Sequence, residues 1–136
     1  MSYTIKHNPS LGIIELTYRQ LITDTDLTEA TSKCISLGKQ TGTTKFLVDA
    51  SGIDLVASII DLYNLPAKQY EDEEANRHSH VAVILPTSKD AREAVQFFEL
   101  ACKNRGWFVQ VFSERQSAID WLKGNTTSNK SDTGDS

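Results

Sequence analysis

The 136 residues include 18 acidic and 14 basic side chains, a formal net charge of -4, with 39% of positions hydrophobic and 24% charged. A chain of this size suits one domain that buries roughly two thirds of its unfolded surface, enough for a core without metals or disulfides. A multidomain machine is not expected, and the mild acidity offers no electrostatic footprint for duplex DNA or an anionic bilayer, so no nucleic-acid partner is expected.

Taken in chain order, the apolar residues switch between periods of two and 3.6, and the switches locate the elements. Residues 3–7 alternate, Asn8-Pro9-Ser10 breaks the chain, and Ile14, Leu16 and Tyr18 then share one face, which predicts an opening β-hairpin. Asp26 with Glu29 three residues on resembles a capping box ahead of Leu27, Ala30, Cys34 and Leu37 at helical spacing, and Gly38 is expected to close that helix. Phe46-Leu47-Val48 reads as a buried strand ending at the turn Asp49-Ala50-Ser51-Gly52.

Asp54 is placed to cap a helix carrying Leu55, Ile59 and Leu62, and Pro66 suits the first turn of the next one. That segment, 66–77, is polar and expected at the surface. His80 to Leu85 is a continuous apolar run, the strongest strand signal and expected near the sheet centre. A helix capped by Thr87 or Ser88 follows, with Ala91, Ala94, Val95, Phe98, Ala101 and Cys102 on one face. Trp107 to Phe112 gives the last strand, and Ser113 with Gln116 is expected to cap a short final helix ending at Gly124. Residues 124–136 contain no apolar side chain and read as a disordered polar tail.

The resulting order, β-β-α-β-α-α-β-α-β-α over residues 1–123, implies an α/β domain: a mixed sheet with an antiparallel hairpin at one edge, parallel strands after it, and helices flanking it. Ligands in open sheets of this kind favour the carboxyl ends of the strands, here 49–52, 85–88 and 112–114. Cys34 and Cys102 both fall on apolar helix stripes and are expected in the core of a reduced, cytoplasmic protein. The first residues lack a basic segment followed by an apolar one, and no window is long enough for a membrane span.

Three features, the strand Leu47-Val48 ending in Asp49-Ala50-Ser51-Gly52-Ile53, the strand from His80 to Leu85, and Phe112 followed by Ala118 and Trp121-Leu122, resemble the SpoIIAA-like family within the STAS group. The resemblance implies a STAS-like domain that acts by binding. It also implies a phosphorylatable serine, usually in Asp-Ser-Ser-Gly, at the start of the helix after the third strand. Here Asp49-Ala50-Ser51-Gly52 occupies the preceding turn, and the matching position near Ser58 lacks the paired serines and the glycine. Ser51 and Ser58 are the candidate modification sites. A phosphate there would gain from a helix N-terminus and change a docking surface.

Other chemistry has little to build on. His78 and His80 alternate on a strand beside the acidic run 71–74, but with no further ligand pattern no metal is expected. No nucleophile elbow, glycine-rich phosphate loop or Walker lysine is present, so no catalytic residue and no cofactor is assigned. The expected binding surface comprises Asp49, Ser51, Gly52, Leu55, Ile59, Tyr63 and Tyr70, because helices over 54–77 carry more apolar surface than one stripe against a sheet requires. Its expected occupant is a protein partner, a second copy in a homodimer, or a small apolar ligand. The alternatives are a small enzyme using Asp49 and Ser51, and a phosphoserine switch.

Overall fold

The computed structural model describes residues 3–56 and 59–124. Strands β1 (Tyr3–Asn8) and β2 (Ile13–Tyr18) form the antiparallel hairpin, in register from Tyr3↔Tyr18 to Asn8↔Ile13. Strands β4 (Lys45–Asp49), β6 (His80–Ile84) and β7 (Phe108–Phe112) continue the sheet in the order β1-β2-β4-β6-β7, and every pairing after the hairpin is parallel. The α/β class with an antiparallel edge is therefore as the periodicity predicts. His80 to Ile84 lies between β4 and β7, with Ala82 and Val83 buried on opposite faces.

The two faces of the sheet follow from strand alternation. Leu16, Val48, Val83 and Val109 point into the larger core, beneath α1 (Asp24–Thr41) and α4 (Lys89–Asn104). On the opposite face Leu47, Ala82 and Ile84 meet Ala118 and Leu122 of α5 (Arg115–Leu122). Arg115 fastens α5 to β2 through two bonds to the Glu15 carboxylate, at 2.8 and 2.7 Å. Strand β7 is an edge, and one of its amides is covered: Val111 N–H donates to Glu99 Oε2 at 2.9 Å.

Several boundaries differ from the sequence reading. The cap of α1 is Thr23, not Asp26: Thr23 Oγ1 accepts from Asp26 N–H, and Asp26 Oδ2 accepts from Thr23 N–H, both at 3.1 Å. Asp26 thus supplies the third helical residue of the box. Thr23→Ala is expected to lower stability by about 1 kcal/mol, read as a shift in urea midpoint with unchanged slope. Gly38 does not close α1. It is buried within it, and Gly42, with φ 70°, makes the left-handed cap that a β-carbon would strain. Ser88 and Glu114 occupy the cap positions of α4 and α5 without side-chain cap bonds, and Gln116 instead pairs with Asp120 at 2.9 Å.

The largest difference lies at 53–56. The helix expected from Asp54 is a strand, β5 (Ile53–Val56), paired in parallel with β3 (Gln20–Ile22) in a separate two-stranded sheet. Four residues containing Ile, Leu and Val fit either period, and the partner strand, 33 residues upstream at its nearest paired positions, Gln20 and Ile53, decides between them. Helix α2 (Ile59–Asn64), a π-helical turn (Leu65–Gln69) with Pro66 in its first turn, and the short α3 (Tyr70–Asp72) complete the connection to β6. The expected polar tail falls on 125–136, outside the described residues, apart from Gly124.

Candidate functional site

The order β1-β2-β4-β6-β7 runs in one direction across the sheet, so no reversal of strand order opens a crevice at the carboxyl ends. A cavity of about 320 Å³ lies instead toward the amino ends, between α1 and the sheet. Its floor is Phe46 and Val48 of β4, Val81 of β6 and Val109 of β7. Cys34, Ile35 and Gly38 of α1 form the roof. Tyr70, Ala75 and Trp107 close one side, while Lys39, Thr43, Asn76 and Ser79 supply polar groups.

The space arises from side-chain size. The buried stripe of α1 runs Leu27, Ala30, Cys34, Gly38, so after Leu27 it carries only small side chains. A β-carbon on Gly38 would stand 2.9 Å from Phe46 Cζ and 3.0 Å from the Thr43 carbonyl oxygen. The helix therefore approaches the sheet closely at its end while small side chains leave room beside it.

Residues 69–77 form a strap tied to the domain at both ends. Gln69 Nε2 donates to Thr28 O at 2.9 Å and to Glu73 Oε2 at 3.0 Å, and Ser32 Oγ donates to the same Glu73 oxygen at 2.6 Å. Lys39 Nζ donates to the Glu73 carbonyl at 2.7 Å. At the far end Arg77 donates to Arg105 O at 2.8 Å and to Glu71 Oε2 at 3.2 Å, and its guanidinium lies 3.9 Å from the Trp107 ring centroid. Tyr70 meets Trp107 edge-on at 5.2 Å. The expected surface segment is thus divided: Glu71, Asp72 and Glu74 are exposed, while Tyr70 and Ala75 line the cavity. Trp107 Nε1–H is buried and has no acceptor among the described residues.

Burial pushes the Cys34 thiol up to about 12, and raises Cys102 and the Tyr70 and Tyr18 phenols as well. At neutral pH Cys34 is a thiol rather than a thiolate, and so a weak nucleophile. A raised folded-state value means the unfolded chain releases these protons first, so stability is full below about pH 8 and falls as pH climbs further. We expect Cys34 alone to remove about 1.5–2 kcal/mol by about pH 10, measured as a drop in urea midpoint that Cys34→Ala partly abolishes.

The sequence-selected residues are not gathered at this cavity. Asp49 lies on the α5 face of β4, where Arg115 senses its charge. Its Oδ1 accepts Ser51 N–H at 3.0 Å and Ser51 Oγ–H at 2.6 Å, a local turn lock. Ser51 and Gly52 lead into β5, so the helix N-terminus invoked for a phosphate at Ser51 is not there. Tyr63 is 40% exposed, accepts from Arg105 Nη2 at 2.6 Å and faces Phe97 at 6.5 Å. Of the set, Tyr70 lines the cavity. Ser58 and the side chains of Leu55 and Ile59 lie outside the described residues. His80 stacks on Phe108 at 4.8 Å, with Nδ1 at 3.0 Å from the His78 carbonyl. Among the described residues no three His, Cys, Asp or Glu side chains are grouped to hold a metal, and no helix is long and apolar enough to cross a membrane.

Lys39, Phe46 and Trp107 were not selected from the sequence. The run Ala30, Cys34, Gly38 at intervals of four was the available signal, since a stripe of small side chains leaves space over a sheet.

No family model and no curated protein matches the chain. Among solved structures, one described as a crystal structure analysis of Mglu is similar at 10% identity and a TM-score of 0.34. The match covers 83% of this chain but 20% of that one, so the chain spans about one fifth of its length. A likeness at that level carries no argument about function.

Proposed function

We propose that this protein is a non-catalytic, STAS-like binding module that retains a small, largely apolar ligand in the cavity beneath α1. The observation that carries the reading is the cavity itself: about 320 Å³, within the range of small-molecule sites, walled by aliphatic and aromatic side chains with polar groups beside them. Volume of that order accommodates about ten water-sized groups. The elevated Cys34 thiol and the hydrogen-bonded Asp49–Ser51 pair on the other face favour holding over transforming.

The SpoIIAA-like assignment belongs to the same proposal. Its support is that Phe112, Ala118, Trp121 and Leu122, which carry the resemblance, pack as one cluster under β4 and β6. Native mass spectrometry of freshly purified full-length protein tests the binding reading. Wild type is expected to carry an added small mass, and Val81→Phe, which puts a ring into the cavity floor, to lose it. A wild-type protein that is bare on purification and shows no stabilisation by any member of an apolar ligand library sinks the proposal.

A further inference from the structure

Resting on that reading, we infer that the ligand is a monoanionic amphiphile, a carboxylate on an apolar body, with its head at Lys39. Lys39 is the one charged residue among those lining the cavity, and none of them is acidic. That composition runs against the whole chain, in which acids outnumber bases. The Lys39 ammonium bonds a neutral carbonyl, that of Glu73 at 2.7 Å, and has no carboxylate counterpart among the described residues. An ammonium has three donors, so two remain for a head group.

Three of the strap's four carboxylates are engaged, Asp72 with Lys68 at 2.8 Å among them, and Glu74 is exposed. Glu73 accepts from Ser32 and Gln69, and Glu71 pairs with Arg77. A cation beside an apolar cavity, with no carboxylate paired to it among the described residues, is complementary to an anion whose remainder is apolar.

The charge of the head is limited to one. Lys39 sits in the last turn of α1, where the helix dipole is negative. The Gly38 carbonyl at that end is covered by the amides of Gly42 and Thr43, which blunts the repulsion for a single charge. A phosphate dianion would meet one ammonium, no arginine fork and the wrong end of a helix. The body of the ligand would lie along Phe46, Val81 and Val109 toward Tyr70 and Trp107.

Calorimetric titration of the full chain with decanoate, decyl phosphate and decanol tests the assignment, because the three probes share a tail and differ in head charge. Decanoate is expected to bind wild type roughly five- to tenfold more tightly than decanol and more tightly than decyl phosphate. Lys39→Gln should bring the decanoate-to-decanol affinity ratio down to about one, with Lys39→Arg restoring it. Far-UV circular dichroism verifies that each variant is folded. Equal binding of decanoate and decanol, preference for the phosphate, or a decanoate advantage that survives Lys39→Gln overturns the inference while the cavity reading stands. Failure of all three probes to bind wild type removes both.

Discussion

Trp107→Ala is expected to cost about 3–5 kcal/mol of folding stability, the largest single effect in the cavity wall. The side chain is 6% exposed, takes Tyr70 on its edge at 5.2 Å and Arg77 on its face at 3.9 Å. Removing it deletes both ring contacts and opens the cavity into the core. Trp107→Phe separates packing from hydrogen bonding. It keeps an aromatic face but removes an indole N–H that has no acceptor among the described residues, a group that costs about 1–3 kcal/mol when buried unpaired. The phenylalanine variant should therefore lose less than about 1.5 kcal/mol in urea unfolding. Equal losses in the two variants would show that the indole N–H has a partner in solution, and the account of an orphaned donor would fail.

Gly38→Val should destabilise the protein by about 2–3 kcal/mol and, on the proposed reading of the cavity, abolish ligand retention. A glycine inside a helix is usually improved by a side chain, by as much as about 1 kcal/mol for alanine. Here the space forbids it. The first added carbon would stand 2.9 Å from the Phe46 ring and 3.0 Å from the Thr43 carbonyl oxygen, and Thr43 is itself tied back to Gly38 by its amide. Of the two obstacles only the ring can swing, and it lines the cavity, so relief of the clash changes the binding space. A melting curve paired with native mass spectrometry reads both effects. A Gly38→Val protein as stable as wild type would show that α1 can lift away from β4, and the close approach would lose its significance.

Gly38 also shows where local pattern stops being informative. Read along the chain, it follows Leu37 at the end of an apolar stripe and looks like a stop. In the fold it is the tightest contact of a helix that continues to Thr41, and Gly42 makes the turn. Ile53–Val56 teaches the same lesson for strands, because its pairing partner Gln20–Ile22 is too short to be recognised without it. Asp49 and Ser51 drew attention as a carboxylate and a hydroxyl at a strand end, yet they satisfy each other within one turn.

The order of amino acids by itself determined the α/β class, the antiparallel hairpin, the parallel strands at 45–49, 80–84 and 108–112, and the buried faces of α1 and α4, because each depends on a period that neighbouring residues spell out. Only the tertiary structure decided that the sheet order runs without reversal, and that the open space lies toward the amino ends under Cys34 and Gly38. It also decided that Lys39, Tyr70 and Trp107, from three separate segments, meet around it. A sequence pattern says which side of an element is apolar. Where two apolar sides fail to fill the gap between them depends on the distance and angle at which distant segments dock, and no local window contains that.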